Sequence, residues 1–501
     1  MFQPVIRAAA PFLLFVAGPL TAQPAPIAPA DMMRHITVLA SDDFQGRAPG
    51  SEGETKTVDY IVAQLRARGL EPAGVDGGWF QPVPLIERTT QSARAAFTAN
   101  RRSIAFDPGN IVLQGRDAHF RVADAPVIFA GHGARIPDRG VDQIAGLDVR
   151  GAVVLILIDP PQIENFPSLS QRTQAMIDAG AAAVIRIVGP DADWQEVHAG
   201  AIAPRTRAAS QVIAPMLGIM PFAAADALIR AGGGDLTRLL NDQPGSSFRA
   251  VTLPFRATIE VETAVRAFDS RNVVGRLRGT GGGHESLLLL AHWDHLGLCR
   301  PEGAADRICN GAVDNASGVA MMIEAAGRLA QGPRPARDIV ILATTAEEMG
   351  LVGATWFAAH PAVPLDSIVA AINMDTVAVA PAGEPVAQLG RGFAALDALV
   401  VSTATGMGRR IDEAHEADIM ASRQDGFALA RVGVPSIMVG GSFASMARLG
   451  AFLEGRYHKP EDQADNQVVL AGAVEDANLL VALSRRLADP SQYQRPQRPT
   501  E

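Results

Sequence analysis

Residues 285–293 read ESLLLLAHW, and residues 338–345 read DIVILATT. Each holds a short, unbroken apolar run, the pattern of a strand buried on both faces of a sheet. Between them lies NASGVAMMIEAAGRLAQG (315–332), with apolar residues at helical spacing, and after them come VGATWFAAH (352–360) and SIVAAINM (367–374). This alternation, from Asn272 onward, predicts an α/β sheet with helices on both faces, a three-layer α/β/α arrangement. In open sheets of that kind function gathers at the carboxyl ends of the strands.

Those ends hold the chemistry-bearing residues. His292 stands at the lip of LLLLAHWDH, with Asp294 two residues on, where its carboxylate can hold one imidazole nitrogen while the other meets a metal. The turn NGAVDNASG presents Asp314, ATTAEEMG presents Glu347 and Glu348, AAINMDT presents Asp375, and EGRYHKPED presents His458. Taken singly, each has an ordinary structural reading. Asp314 can cap the helix that follows, and the glutamate pair can open a helix whose dipole favours carboxylates. Asp375 can simply end a strand, and His458 can be a loop residue. Together they form the imidazole and carboxylate mix expected for zinc, without soft sulfur ligands. His295 lies close by and is read as structural; His35, His119, His132, His198, His284, His360 and His415 receive no role.

Composition narrows the remaining classes. The 501 residues are 48% hydrophobic and 19% charged, which suits globular protein in more than one domain. A formal net charge of −9 supplies no basic stripe for nucleic acid or an anionic membrane. Residues 1–22 have the outline of a secretory signal, with a single basic residue at Arg7, an apolar stretch interrupted by Pro11 and Pro19, and small residues ending at Ala22. The reading is an exported protein, periplasmic or secreted, with no stable membrane association after cleavage. Cys299 and Cys309 are the only cysteines. An exported chain permits a disulfide between them; a metal-binding thiolate pair and two free thiols are the alternatives. The disulfide is favoured, because the oxygen-rich ligand set needs no sulfur.

The stretch SEGETKTVDYIVAQLRARGLEP (51–72) reads as a helix opened by a capping box, Ser51-x-x-Glu54, and stopped at Gly69. From about Asp117 to Ala257 the texture changes. APVIFAGHG and GAVVLILID read as buried strands, QRTQAMIDAGAAAVIRIVG as a helix running into a strand, and the whole stretch looks inserted. The expected organisation is a signal at 1–22, a first part of the main domain at 31–116, an insertion at 117–257, the rest of the main domain at 258–490 and a disordered tail at 491–501.

The series AHWDHLG, NGAVDNASG, EEMGLVGA, NMD and YHKPED resembles the co-catalytic dizinc aminopeptidases, metallopeptidase family twenty-eight, which also includes glutamate carboxypeptidase II. The resemblance covers roughly Asn272–Leu487 and the stretch ASDDFQGRAPGSEGETKTVDYIVAQLRARGLEP, while the middle stretch resembles a β-rich protease-associated domain. It implies a mixed-sheet zinc exopeptidase fold and two zinc ions. His292 and Asp375 would hold one, Glu348 and His458 the other, and Asp314 would bridge them. Glu347 would be the general base and Asp294 the partner of His292. The implied activity is removal of N-terminal residues from peptides by a shared hydroxide; a glutaminyl cyclase, a carboxypeptidase or a dipeptidase are alternatives on the same scaffold. A non-catalytic scaffold should have lost ligands, and none is missing. The family's pocket-shaping stretch before a Gly-Val-Pro turn corresponds to QDGFALARVGVP, where Asp425 matches by distance but its neighbours differ. Asp425 and Tyr457 are the candidates for the substrate pocket, with Asp425 as the cap of a following helix the alternative.

Overall fold

The computed structural model describes residues 24–160, 166–242 and 248–496. The signal-like stretch 1–22 and the end of the tail therefore lie outside the described residues. The chain divides into two compact units, Met1–Val83 with Ser270–Glu501, and Pro84–Asp269. The second unit is wider at both ends than the expected insertion, and it takes in residues 84–116 and 258–269, assigned above to the main domain.

The first unit opens with helices α1 (Pro29–Leu39) and α2 (Glu52–Ala67). Ser51 caps α2 by accepting the Glu54 N–H at 3.2 Å. The reciprocal half of the capping box does not form. Glu54 is buried and its carboxylate accepts instead from Gly50 N–H, the Ser270 hydroxyl and Arg271 Nε. A charged, multiply bonded carboxylate is worth more here than a helix cap, because it ties three backbone segments together.

The sheet of this unit is built from β1 (Val251–Leu277, by its last residues), β2 (Ser286–His292), β3 (Asp338–Thr344), β4 (Ile368–Asn373), β5 (Ala387–Leu389) and β6 (Ser436–Gly440). The spatial order is β5-β6-β4-β2-β3-β1. β2 runs parallel to both β3 and β4, and β4 parallel to β6, while β1 and β5 join antiparallel. Leu287, Leu289 and Ala291 of β2 face a core that includes Met32, Ile61, Met322 and Leu480; Leu288 and Leu290 face Phe357 and Leu429. Every residue of β2 is buried, because helices cover both faces. The fold is three-layer α/β/α, as the alternation predicts. β2 has β3 on one side and β4 on the other, so their carboxyl ends meet where the strand order reverses.

The second unit is also mixed α/β. Strands His119–Phe129, Val153–Leu157, Ala183–Val188 and Met216–Pro221 run parallel in that order, with Val112–Gly115 antiparallel at one side. Helices Leu169–Asp178, Trp194–Ile202 and Phe222–Ala231 accompany them, so the middle stretch is less purely β than the resemblance implies. No helix among the described residues is long and apolar enough to cross a membrane.

Candidate metal centre

The ends of β2, β3 and β4 and two loops bring His292, Asp294, Asp314, Glu347, Glu348, Asp375 and His458 together. His292 Nε2 lies 3.3 Å from Asp314 Oδ1, 3.6 Å from Asp375 Oδ1 and 3.9 Å from Glu347 Oε2. His458 Nε2 lies 2.8 Å from Glu348 Oε2 and 3.4 Å from Asp314 Oδ2. Ligand-capable atoms of His292, Asp314 and Asp375 lie within 4.8 Å of one another, as do those of His295, Asp314 and Glu348. Asp314 belongs to both groups.

The buried atoms test whether these groups fit a cation. His292 Nε2, His458 Nε2 and Asp314 Oδ2 have no hydrogen-bond partner, although acceptors and donors stand near them. His458 Nε2 and Glu348 Oε2 are close but out of line for a hydrogen bond, as two atoms aimed at a common point would be. Charge agrees with geometry. Desolvation would lower His458, yet the Asp314 and Glu348 carboxylates raise it to about 10. Desolvation likewise opposes a charge on His292, and Glu347, Asp294, Asp314 and Asp375 raise it well above its ordinary range. Burial pushes the Glu347 carboxyl well up, with Asp375, Asp425 and Glu348 adding to burial against His292. A cluster that draws protons this strongly calls for positive charge, and its nitrogen and oxygen donors suit a divalent cation.

Local contacts explain how each group is aimed. His292 Nδ1 is 3.2 Å from the backbone carbonyl of Asp294, which can only accept, so Nδ1 carries the proton and Nε2 offers its lone pair. The expected side-chain partner, Asp294 Oδ1, stands at 3.7 Å and accepts the Glu347 N–H at 3.1 Å. Asp294 therefore fixes the backbone of the glutamate pair. Asp314 sits on a non-helical turn before helix α3 (Ser317–Gln331) and is not its cap. Asn315 bonds Met374 O and Gly318 N–H, joining that turn to the Asp375 segment. A Cβ at Gly318 would lie 2.2 Å from Asn315 Oδ1 and 2.3 Å from Met374 O, so only glycine permits the junction.

Three residues were missed or misread from sequence. His295 is not merely structural scaffolding: its Nδ1 lies 2.5 Å from Glu348 Oε1, within the second group. Arg47, fully buried, donates to the carbonyls of Leu39, Trp293, Asn310 and Gly311. Burial lowers it to about 10, while Asp314, Asp462, Asp294 and Glu348 favour its charge. Asp462, the last residue of the YHKPED motif, accepts the N–H groups of Val313 and Asp314. Its signal was present as a motif position; Arg47 had none, since it works through carbonyls.

Beside the cluster, a cavity of about 40 Å³ is lined by Glu347, Asp375, Gln424, Phe443, Leu449 and Tyr457 among others. Tyr457 stacks on His458 at 3.7 Å between ring centroids. Asp425 is not among the lining residues. It makes no cap bond to the helix Gly426–Arg431, and its carboxylate accepts from the Thr344 hydroxyl at the end of β3. Burial pushes it up to about 7. Gln424, its neighbour, takes the lining position. Cys299 and Cys309 are joined by a disulfide.

The parallel-centred α/β/α sheet thus gathers imidazoles and carboxylates at a reversal of strand order. Residues 272–482 match the model of peptidase family M28. A 330-residue segment is 23% identical to the probable lipoprotein aminopeptidase LpqL of Mycobacterium tuberculosis, covering 64% of this chain and 53% of the relative. The chain thus spans about half the length of that curated relative. In fold it is similar to an aminopeptidase from Aneurinibacillus sp. strain AM-1, with a TM-score of 0.57, 17% identity and coverage of 93% and 96% of the two chains. A zinc aminopeptidase from Bacillus subtilis gives a TM-score of 0.52, 16% identity and coverage of 94% and 97%.

Proposed function

We propose that this chain is an exported zinc aminopeptidase, hydrolysing the N-terminal bond of peptides with two zinc ions and Glu347 as general base. The observation that carries the reading is the pair of donor groups sharing Asp314, with Glu347 left beside them. His292 and Asp375 would hold one ion and Glu348 and His458 the other, with Asp314 between. His295 holds Glu348 Oε1, which leaves Oε2 turned toward His458. When bound, zinc supplies Lewis acidity toward the scissile carbonyl and the attacking water.

The rest of the chemistry belongs to the chain. Glu347 takes a proton from the attacking water and delivers it to the leaving amine. Its backbone is fixed by Asp294, so adjacent glutamates diverge: Glu348 turns to the histidines and Glu347 stays available. Phe443, Leu449, Leu453 and Met438 make the neighbouring cavity apolar on one side, and it receives the side chain of the residue being removed. The secretory outline of residues 1–22 and the disulfide support export.

The test is hydrolysis of aminoacyl anilides beside their N-acetylated forms, before and after chelation, with zinc counted on the purified chain. Cleavage of the free form alone, lost with the metal, is expected; equal cleavage of blocked substrates overturns the aminopeptidase reading. Glu347→Ala should lower kcat by roughly 10²–10⁴-fold with metal content unchanged. A demetallated or fully active variant removes Glu347 from the role of base.

A further inference from the structure

The second unit holds a cavity of about 220 Å³ with a chemistry opposite to that of the metal centre. Five arginines line it, Arg88, Arg116, Arg186, Arg205 and Arg207, and no aspartate or glutamate does so among the described residues. Arg116 is paired with the exposed Asp117. Arg186 and Arg205 differ: their Nε atoms are buried and have no hydrogen-bond partner among the described residues. The hydroxyls of Thr173 and Thr263, which also line the cavity, are buried and unpartnered as well. Four orphaned polar atoms therefore face one space.

The position of Arg186 makes this costly. It lies on the strand Ala183–Val188, opposite Ile156 on one neighbouring strand and Ile219 on the other, so it occupies an interior strand. Desolvation, reinforced by Arg205 and Arg207, holds its guanidinium down at about 10, and no carboxylate offsets that. An unpaired guanidinium on an interior strand is disfavoured unless something anionic meets it. Guanidinium forks and hydroxyls are the donors that carboxylate and phosphate oxygens accept from. The remaining wall is partly apolar, through Leu169, Ile177 and Leu217, so the space exceeds what a bare ion needs.

We propose that this cavity is an anion-binding site for a small organic carboxylate or phosphate, held by Arg186, Arg205, Thr173 and Thr263 with its apolar body against Leu169, Ile177 and Leu217. Two consequences separate it from a structural arginine cluster. The empty cluster repels itself, so removing one arginine should not destabilise the unliganded protein. The ligand relieves the repulsion, so binding should raise the apparent Tm.

The experiment follows the apparent Tm of the metal-loaded full chain at fixed ionic strength against three probes: inorganic phosphate, N-acetyl-leucine and the neutral N-acetyl-leucinamide. A saturable rise with at least one anion, and none with the amide, is expected. Phosphate alone giving the rise identifies a phosphate ligand, and N-acetyl-leucine alone a carboxylate; either supports the site. Arg205→Gln should weaken that binding at least ten-fold while its Tm without anion equals or exceeds that of the native chain. Thr173→Val, which keeps every charge, should weaken it several-fold, and an Arg205→Gln variant that fails to fold counts against the proposal. Both variants should keep native peptidase activity, which separates this site from anions bound at the metal centre. No saturable rise, an equal rise in the variants, or an equal rise with the amide overturns the proposal.

Discussion

The metal centre of the first unit and the arginine-lined cavity of the second pose one electrostatic problem with opposite signs. In the first, six carboxylates (Asp294, Asp314, Glu347, Glu348, Asp375 and Asp425) surround three imidazoles, with Arg47 as the nearby fixed cation. In the second, the buried Nε atoms of Arg186 and Arg205 have no hydrogen-bond partner, and no acid lines the cavity among the described residues. A third cluster shows what balance looks like. Glu324, buried in α3, meets His35 Nε2 at 2.9 Å, Arg68 at 2.6 Å and Arg328 at 3.3 Å, so its buried charge has its partners in place. A buried cluster whose charges do not cancel identifies its absent partner by sign, and its unpartnered atoms show where that partner sits.

The strongest way to break this comparison is at Asp314, which both donor groups share. Asp314→Asn should remove most bound metal and cut kcat/KM by more than about 10³-fold, beyond the loss expected for a lone proton-transfer residue; an active, metal-replete variant would show that the two groups do not depend on a common ligand. Metal removal comes next. An ion held at about 1,000 times its Kd contributes about 4 kcal/mol, so chelation should lower the apparent Tm by several degrees.

The balanced cluster supplies the control. The Glu324 carboxyl is held down to about 2 by His35 and Arg68 against desolvation, below its ordinary 4.5. Its contribution is therefore present above pH 4.5 and lost as the pH falls toward 2. Glu324→Gln should cost on the order of 3 kcal/mol at neutral pH, a gap that closes in acid denaturation curves over that window. A gap independent of pH would mean that packing, not charge, holds the cluster. The smallest effect is expected at Asp462→Asn, which leaves every ligand in place. Weakened support for Val313 and Asp314 should reduce metal affinity or kcat by about 10–100-fold.

How much of this was legible follows from the same contrast. The layered sheet could be read, and the residues of the candidate metal centre picked out, because each closes an apolar run or occupies a turn, and strand ends converge by topology. His295 escaped because nothing in its position distinguishes a ligand-orienting imidazole from a packed one. Glu54 was read as a cap because the local pattern is complete; its real partners, Ser270 and Arg271, lie over 200 residues away. Asp425 was placed by its distance from Gly433, whereas its neighbour Gln424 lines the cavity. The arginine cavity had no sequence signal. Arg186 interrupts an apolar strand by one position, and its companions come from other strands and from the helix Leu169–Asp178, at spacings that no periodicity links.

The bridge between Cys299 and Cys309 closes the loop that leads directly into Asn310 and Gly311, the carbonyls on which Arg47 bears. Production in a reducing cytosol would leave that loop open, at a cost of roughly 3 kcal/mol in chain entropy, immediately upstream of Asp314. The oxidising capacity of the host compartment, as much as the zinc in the medium, would then set what fraction of a preparation is competent.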